Sequence, residues 1–173
     1  MPNPIQNVVA KVAGKTANVE ARLKGLKGVF AKLAEQHHEA GALLKSAEGS
    51  NDFTKRRELW QEVRKALVSH EQGELLELYP VLEGYDATRE IARRHADHAG
   101  ELEALIREVD SIGVQSDAWR PAIGRLIAKV QEHVEREETD FFPRAQEALG
   151  EEAVKQLEKP FLRAQEMAAQ KLA

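Results

Sequence analysis

The chain of 173 residues contains no cysteine. This absence excludes disulfides, thiolate metal ligands, a cysteine nucleophile and cysteine-ligated iron–sulfur clusters. Any metal that the chain binds must therefore be held by nitrogen and oxygen atoms.

Long apolar runs and an excess of positive charge are also missing. No apolar run approaches the roughly 20 residues that span a bilayer, and the N-terminus MPNPIQNVVAKVAGK lacks the continuous apolar segment of a signal peptide. The formal net charge is −4, with acidic and basic residues interspersed, so no basic patch favours nucleic acid or an anionic membrane. We therefore expect a cytoplasmic protein that binds neither nucleic acid nor membrane.

Helical periodicity dominates the remaining sequence. A composition of 42% hydrophobic and 31% charged residues is typical of a globular protein. Apolar residues recur at helical spacing over about residues 18–47, 53–82, 87–111 and 118–142, and strand-like alternation never persists. Short linkers between long amphipathic helices predict an all-α fold, an antiparallel up-down-up-down four-helix bundle. We expect a single domain over residues 1–173 with its core bundle at about 18–145.

Two flanking segments are also predicted to be helical. Residues 5–14 form a short leading helix in this prediction. The tail, residues 146–173, forms one or two helical pieces that break near Pro160 and pack on the outside of the bundle or over one end.

The six histidines all fall on the four long helices, and each apolar stripe contains at least one of them: His37, His70, His95 and His133. A buried imidazole without a partner costs several kcal/mol, about as much as other unpaired polar groups. Four such residues in one core therefore indicate a common ligand that binds them together.

Two carboxylates extend this pattern. His70 with Glu74, and His133 with Glu137, form two H-x-x-x-E pairs. Residues four apart lie on one helix face, about 6 Å apart along the axis, so the histidine can bind one metal while the glutamate extends to a second. With His37 and His95, the chain offers four imidazoles and two carboxylates for two metals, which leaves positions open for an exogenous molecule.

These segments resemble a known family. LAEQHHEAGALL, LVSHEQGELLELYPVL, IARRHADHAGELEALI and VQEHVEREETDFFP are similar, in order, to the four helix motifs of the hemerythrin-like domain, also called HHE. The resemblance covers about residues 30–145. It implies a cofactor of two non-haem iron ions with an oxo or hydroxo bridge. Carried over by position, it implies the metal ligands His37, His70, Glu74, His95, His133 and Glu137.

Three further residues depart from the pattern or lie beside it. His98 follows His95 by three positions, whereas oxygen-carrying hemerythrins have two histidines four apart, so His98 is an additional ligand or a neighbour of the ligands. His38 points about 100° away from His37 and is expected at the surface. Glu71 lies one position off the stripe and is interpreted as an acceptor for an imidazole N–H.

The sequence leaves three functions open. The first is a di-iron protein that binds oxygen, nitric oxide or peroxide for carriage, sensing or iron handling. An enzyme that decomposes peroxide, or oxidises iron or a small substrate, is the second. It would need an acid–base residue beside the open position, whereas Tyr79 and Tyr85 are expected to pack at a helix end. The third is a metal-free helical interaction module.

Overall fold

The computed structural model describes residues 25–172, and within these residues every regular element is helical. This confirms the predicted all-α bundle. The short helix predicted at residues 5–14 lies outside the described residues. The elements are α1 (Gly28–Gly49), α2 (Phe53–Gly73), a π-helical turn (Glu74–Leu78), α3 (Tyr79–Leu82), α4 (Arg89–Ile112), α5 (Trp119–Arg136), a second π-helical turn (Glu137–Phe141), α6 (Phe142–Leu149) and α7 (Glu151–Lys171).

Both π-helical turns join two α-helices into one longer helix, so that α2 continues into α3 and α5 into α6. Pro80 and Pro143 lie in the first turns of α3 and α6. A proline ring clashes with the carbonyl four residues before it, and here those carbonyls belong to Leu76 and Thr139, inside the two π turns. The wider turn accommodates each proline, so the helix continues through Pro143.

The long helices alternate in direction, as hydrogen bonds at the two ends of the bundle demonstrate. At one end, Arg56 near the start of α2 donates to the Ser50 carbonyl after α1 and to the Val114 carbonyl after α4. At the other end, Gln146 of α6 accepts from the Lys27 amide before α1. The C-termini of α1 and α4 therefore lie beside the N-terminus of α2, which confirms the antiparallel order.

The first helix begins later than the sequence pattern predicts. Residues 18–24 lie outside the described residues, and α1 starts only at Gly28. Gly25 has a φ of 82°, and Lys27 is extended with φ −132° and ψ 161°. A left-handed glycine and an extended residue keep residues 25–27 out of the helix, although Leu26 is still buried.

The C-terminal helix differs from its prediction in one way. It runs without a break from Glu151 to Lys171 and contains Pro160. Val154 and Phe161, on either side of the proline, are both fully buried, and this packing outweighs the hydrogen bond that proline removes. As the first of the two predicted alternatives states, the helix packs on the outside of the bundle, along α1 and α2, where Gly73 lets Phe161 approach the α2 backbone.

The apolar core consists of two clusters with buried polar residues between them. One, here the Phe30 cluster, includes Phe30, Leu78, Phe142 and Phe161. The other, the Trp119 cluster, includes Leu44, Val63, Ile106 and Trp119. Since His37 of α1 lies between Ala34 of the first cluster and Ala40 of the second, the polar layer crosses the middle of the bundle. None of the helices in residues 25–172 has the length and low polarity needed to cross a membrane.

Candidate metal centre

Helices α1, α2 and α5 bring a first group of potential ligands together at the middle of the bundle. One nitrogen or oxygen atom from each of His37, His70, His133 and Glu137 lies within 4.8 Å of the others. Glu137 Oε2 is 3.3 Å from His37 Nε2 and 3.2 Å from His133 Nε2. The Nε2 atoms of His37 and His70 lie 3.2 Å apart. All four side chains are buried.

A second group lies between α2 and α4. Glu71 and Glu74 come from α2 and the π turn that follows it, and His95 comes from α4; their ligand atoms again lie within 4.8 Å of one another. His95 Nε2 is 2.6 Å from Glu71 Oε1 and 3.5 Å from Glu74 Oε2. A metal ion held here would have two carboxylates and one imidazole from the protein.

Two carboxylates lie between the groups. Glu74 Oε2 is 3.7 Å from His70 Nε2 in the first group and 3.5 Å from His95 Nε2 in the second. Glu137 directs Oε2 to the first group, while its Oε1 lies 4.0 Å from His95 Nδ1. Each of these glutamates is the first residue of a π-helical turn, a feature that occurs often at functional sites.

Several polar atoms of both groups are buried without a hydrogen bond of acceptable geometry: both carboxylate oxygens of Glu71 and of Glu74, Nε2 of His95, Nε2 of His133 and Oε2 of Glu137. Buried polar atoms in folded proteins nearly always have a hydrogen-bond partner, and each one without a partner lowers the free energy of unfolding by about 1–3 kcal/mol. All of these atoms belong to imidazole or carboxylate groups, which commonly bind metal ions, and they face one another. The donor set therefore fits two cations bound by nitrogen and oxygen.

The outer nitrogens of two histidines are held by other side chains. His37 Nδ1 lies 3.0 Å from Glu138 Oε1, and His70 Nδ1 lies 3.0 Å from Gln36 Oε1. Because these acceptors bind the N–H at Nδ1, the nitrogen that either ring in its neutral form offers to a metal is Nε2, which faces the first group. A metal-binding histidine is usually oriented in this way.

Opposite charges determine the pKa values in the metal-free site. Burial alone would lower the pKa of His37, but the Glu137 and Glu138 carboxylates raise it to about 9. Burial together with the charges of Glu137 and Glu71 holds the pKa of Glu74 well above its usual value. Burial and the charge of His37 lower the pKa of His70. Carboxylates that repel one another in an apolar core bind a cation favourably.

Comparison with known proteins agrees with this geometry. Residues 28–145 match the model of the hemerythrin HHE cation-binding domain. The chain belongs to this family. It is also 24% identical over 136 residues to a DNA nickase of Nostoc sp. (strain PCC 7120 / SAG 25.82 / UTEX 2576), covering 79% of this chain and 38% of that protein. The chain thus spans about two fifths of that relative. No solved structure matches this chain.

Membership in the family confirms the resemblance found in the sequence, and together with the two His/Glu groups it indicates a metal-binding protein. All six residues predicted as ligands of the hemerythrin-like centre lie in these groups: His37, His70, Glu74, His95, His133 and Glu137. The sequence pattern thus selected side chains that the fold brings together.

Of the three further residues, the structure brings only Glu71 to the centre. Glu71 is off the stripe of α2, but the second group lies on the α4 side of that helix, where Glu71 faces His95. His98 belongs to neither group, since its Nε2 faces Arg136 at 3.4 Å. His38 is partly exposed, and its Nε2 lies 3.8 Å from Glu138 Oε2.

Tyr79 is a residue of the hemerythrin-like centre that the sequence prediction missed. Its hydroxyl donates to Glu137 Oε1 at 2.5 Å, and its ring stacks on His95 with centroids 3.5 Å apart. Burial and the Glu137 charge hold the pKa of Tyr79 well above its ordinary value. The expected role in helix-end packing therefore describes only part of this side chain's environment.

A repeated spacing in the sequence is the signal that points to Tyr79. HEQGELLELYP, which begins at His70, and HVEREETDFFP, which begins at His133, share the histidine, the glutamate four residues later and the proline six after that. Tyr79 and Phe142 occupy equivalent places before the prolines. Both side chains are buried, and Phe142 stacks on His37 with centroids 5.7 Å apart.

A cavity of about 210 Å³ adjoins the first group. His37, His70, Glu71 and His133 line its inner side, and apolar walls come from Leu67, Leu102 and Val130. Since a water molecule occupies about 30 Å³ of liquid, the space accommodates a diatomic molecule or a peroxide. The cavity therefore provides room beside the ligand atoms for a small exogenous molecule.

Proposed function

We propose that this chain is a non-haem di-iron protein that binds oxygen, nitric oxide or peroxide for carriage, sensing or iron handling. The observation that carries the proposal is the pair of His/Glu groups with Glu74 and Glu137 between them. Two adjacent cation positions with two shared carboxylates are the arrangement that the hemerythrin family implies. Imidazole and carboxylate suit several divalent metals, and family membership favours iron.

In this proposal the protein's own residues provide the ligands of both irons and one wall of the adjoining cavity. His37, His70, His133 and Glu137 would hold one iron, and Glu71, Glu74 and His95 the other, with Glu74 and Glu137 available to both. Bound iron would supply reversible one-electron chemistry and open coordination positions. Leu67, Leu102 and Val130 give the adjoining cavity an apolar wall opposite its polar lining residues, an arrangement typical of a pocket for a small ligand.

The test is elemental analysis of purified protein together with an optical spectrum before and after anaerobic reduction and return to air. We expect about two irons per chain and absorption bands that bleach on reduction and return with oxygen. A His70→Ala, His95→Ala double variant, which removes one imidazole from each group, serves as the control and should lack both the iron and the bands. Zinc or a single metal ion in the native protein would contradict the di-iron proposal, and the absence of any metal would favour the metal-free interaction module.

A second candidate function is an enzyme that decomposes peroxide or oxidises iron or a small substrate. The specific observation that favours it is Tyr79, because its hydroxyl donates to Glu137 at 2.5 Å and a buried acid–base group beside a metal ligand is what such chemistry requires. Oxygen evolution from peroxide at a rate above that of free iron would support it, and a Tyr79→Phe variant should then lose rate while retaining iron. A rate equal to that of free iron would exclude this form of the enzyme.

The similarity to a nickase raises a third activity that belongs to that relative. This chain spans 38% of the relative at 24% identity, and its net charge of −4 does not favour attraction to DNA. We therefore expect supercoiled plasmid to remain intact when incubated with iron-loaded protein. Nicking that disappears in the double histidine variant would instead assign that activity to this centre.

A further inference from the structure

The C-terminal helix α7 makes a reciprocal hydrogen-bonded pair with α1 through two glutamines. Gln36 Nε2 donates to Gln165 Oε1 at 2.8 Å, and Gln165 Nε2 donates to Gln36 Oε1 at 2.7 Å. Gln165 is buried, with 9% of its surface exposed. Gln36 is partly buried, and the two amides can turn only together, because turning one alone would oppose like atoms.

The glutamine pair is connected to the metal centre through the side-chain oxygen of Gln36. The same Gln36 oxygen that accepts from Gln165 also lies 3.0 Å from His70 Nδ1. While that oxygen faces the ring, it accepts a hydrogen bond from Nδ1–H and leaves the lone pair of His70 on Nε2. Were Gln36 to present its NH₂ group, Nδ1 would become the acceptor and Nε2 would carry the proton that excludes a metal.

The approach of α7 to α2 at this level is close. A Cβ atom added at Gly73 would lie 2.7 Å from Gln165 Cγ and 2.7 Å from Phe161 Cε2, so only glycine fits there. The Phe161 ring meets the His70 ring edge to face with centroids 6.5 Å apart. Backbone packing and ring packing together hold Gln165 at the distance that the amide pair needs.

We propose that Gln165 is a positioning residue of the metal centre. Through Gln36 the orientation of its amide is coupled to the His70 tautomer that binds metal. We call this series of hydrogen bonds from Gln165 through Gln36 to His70 the relay, and it couples docking of α7 to occupation of the His37, His70, His133 and Glu137 group. Gln165 lies outside residues 28–145, the part of the chain that matches the family. The inference rests on the proposed metal-binding function, and it adds a determinant that this chain supplies from its own C-terminal helix.

Two substitutions of Gln165 test the relay, and both change the volume of the side chain little. Gln165→Glu keeps the shape but removes the N–H that holds the Gln36 oxygen, and Gln165→Met removes both hydrogen bonds. Outer partners of metal-binding histidines typically change metal affinity by about 10- to 100-fold. We expect a chelator to extract one of two bound irons about 10-fold faster from each variant, while extraction of the other iron keeps the native rate.

A second readout needs no metal. The imidazole ¹⁵N chemical shifts of metal-free protein distinguish a protonated from an unprotonated ring nitrogen. At a pH above the His37 pKa of about 9, His37 no longer holds His70 Nε2 as an acceptor across their 3.2 Å contact. There we expect His70 to carry its proton on Nδ1 in the native protein and to shift partly to the Nε2–H tautomer in Gln165→Glu. A merely structural role for Gln165 in helix packing would leave this ratio unchanged.

Val154→Ala is the matched control. Val154 is fully buried on the same helix and packs in the Phe30 cluster, far along α7 from Gln165. This variant should lower the melting temperature and leave both iron-extraction rates and the His70 tautomer as in native protein. If native protein holds two irons and either readout is unchanged in Gln165→Glu, the relay is wrong. If native protein holds fewer than two, the proposed function fails, and the tautomer measurement alone decides the relay.

Discussion

His70 and Glu74 occupy positions in α2 that the helical pattern would otherwise give to apolar residues, and His133 and Glu137 do the same in α5. Their burial is nearly complete, with Glu74 at 0% and Glu137 at 2% exposed. Burying unpaired carboxylates costs several kcal/mol each (about 3–5 for an uncompensated charge). The neighbouring imidazoles offset part of this cost in metal-free protein, and a bound cation would offset far more.

Glu71 gives a direct test at the residue scale. Glu71→Gln keeps the volume but removes one of the two negative charges beside His95, so we expect the second group to lose its metal. Iron content should fall from about two per chain to about one. Glu77→Gln, on the adjacent π turn and in neither group, is the control and should retain both irons. Full iron content in Glu71→Gln would contradict a ligand role for Glu71.

Tyr79 provides a second residue-scale prediction. Tyr79→Phe deletes the hydroxyl that donates to the buried Glu137 carboxylate. Hydrogen bonds to charged groups contribute about 1.5–3 kcal/mol, so the free energy of unfolding of metal-free protein should fall by about 2 kcal/mol in a urea titration. Tyr85→Phe, at an exposed tyrosine, should change it little. Equal effects in the two variants would mean that the Tyr79 hydroxyl makes no net contribution.

At the scale of elements, the π turns and α7 determine which side chains face the centre. Each π turn starts at a glutamate of the centre and ends two residues before a proline. The extra residue in the turn shifts the register of everything after it. In this way Tyr79 of α3 is directed toward Glu137 at the start of the second π turn, although ideal α-helical spacing from His70 would not place it there.

Two helical glycines test the docking of α7. Gly73→Ala would place a Cβ 2.7 Å from atoms of Phe161 and Gln165, and we expect a loss of about 1–3 kcal/mol in the free energy of unfolding. Gly100→Ala in α4 meets nothing within 4 Å and should instead add about 0.4–1 kcal/mol. Chemical denaturation of both variants measures the difference. Stabilisation by Gly73→Ala would show that α7 is not held against α2.

For the whole molecule, the centre lies between the Phe30 cluster and the Trp119 cluster, so ligands from α1, α2, α4 and α5 connect both halves of the core. Bound metal stabilises only the folded chain, by about 2.7 kcal/mol at a free concentration 100 times the dissociation constant. Treatment with chelator should therefore lower the melting temperature in calorimetry. The double variant His70→Ala, His95→Ala, which removes one imidazole from each group, should melt at one temperature with or without iron, which makes it the control.

The pH dependence of metal-free protein follows from His37. Its folded pKa of about 9 lies above the ordinary value of 6.5, so the protonated ring stabilises the fold fully below about pH 6.5. That contribution is lost as the pH rises through about 9. We expect the melting temperature of metal-free protein to fall between about pH 7 and pH 9.5, and His37→Gln to flatten the curve. An unchanged slope in His37→Gln would assign the pH dependence to another group.

The sequence by itself determined the helical bundle and the inward face of each long helix, because a period of 3.6 residues decides which side chains share a stripe. His37, His70, His95 and His133 were found in this way, as were the glutamates four residues after two of them. Only the tertiary structure decided the roles of Glu71, Tyr79 and Gln165. Each depends on which neighbouring helix faces it, on the register shift of a π turn, or on the close packing of α7 at Gly73. Periodicity within one helix contains no information on these contacts between helices.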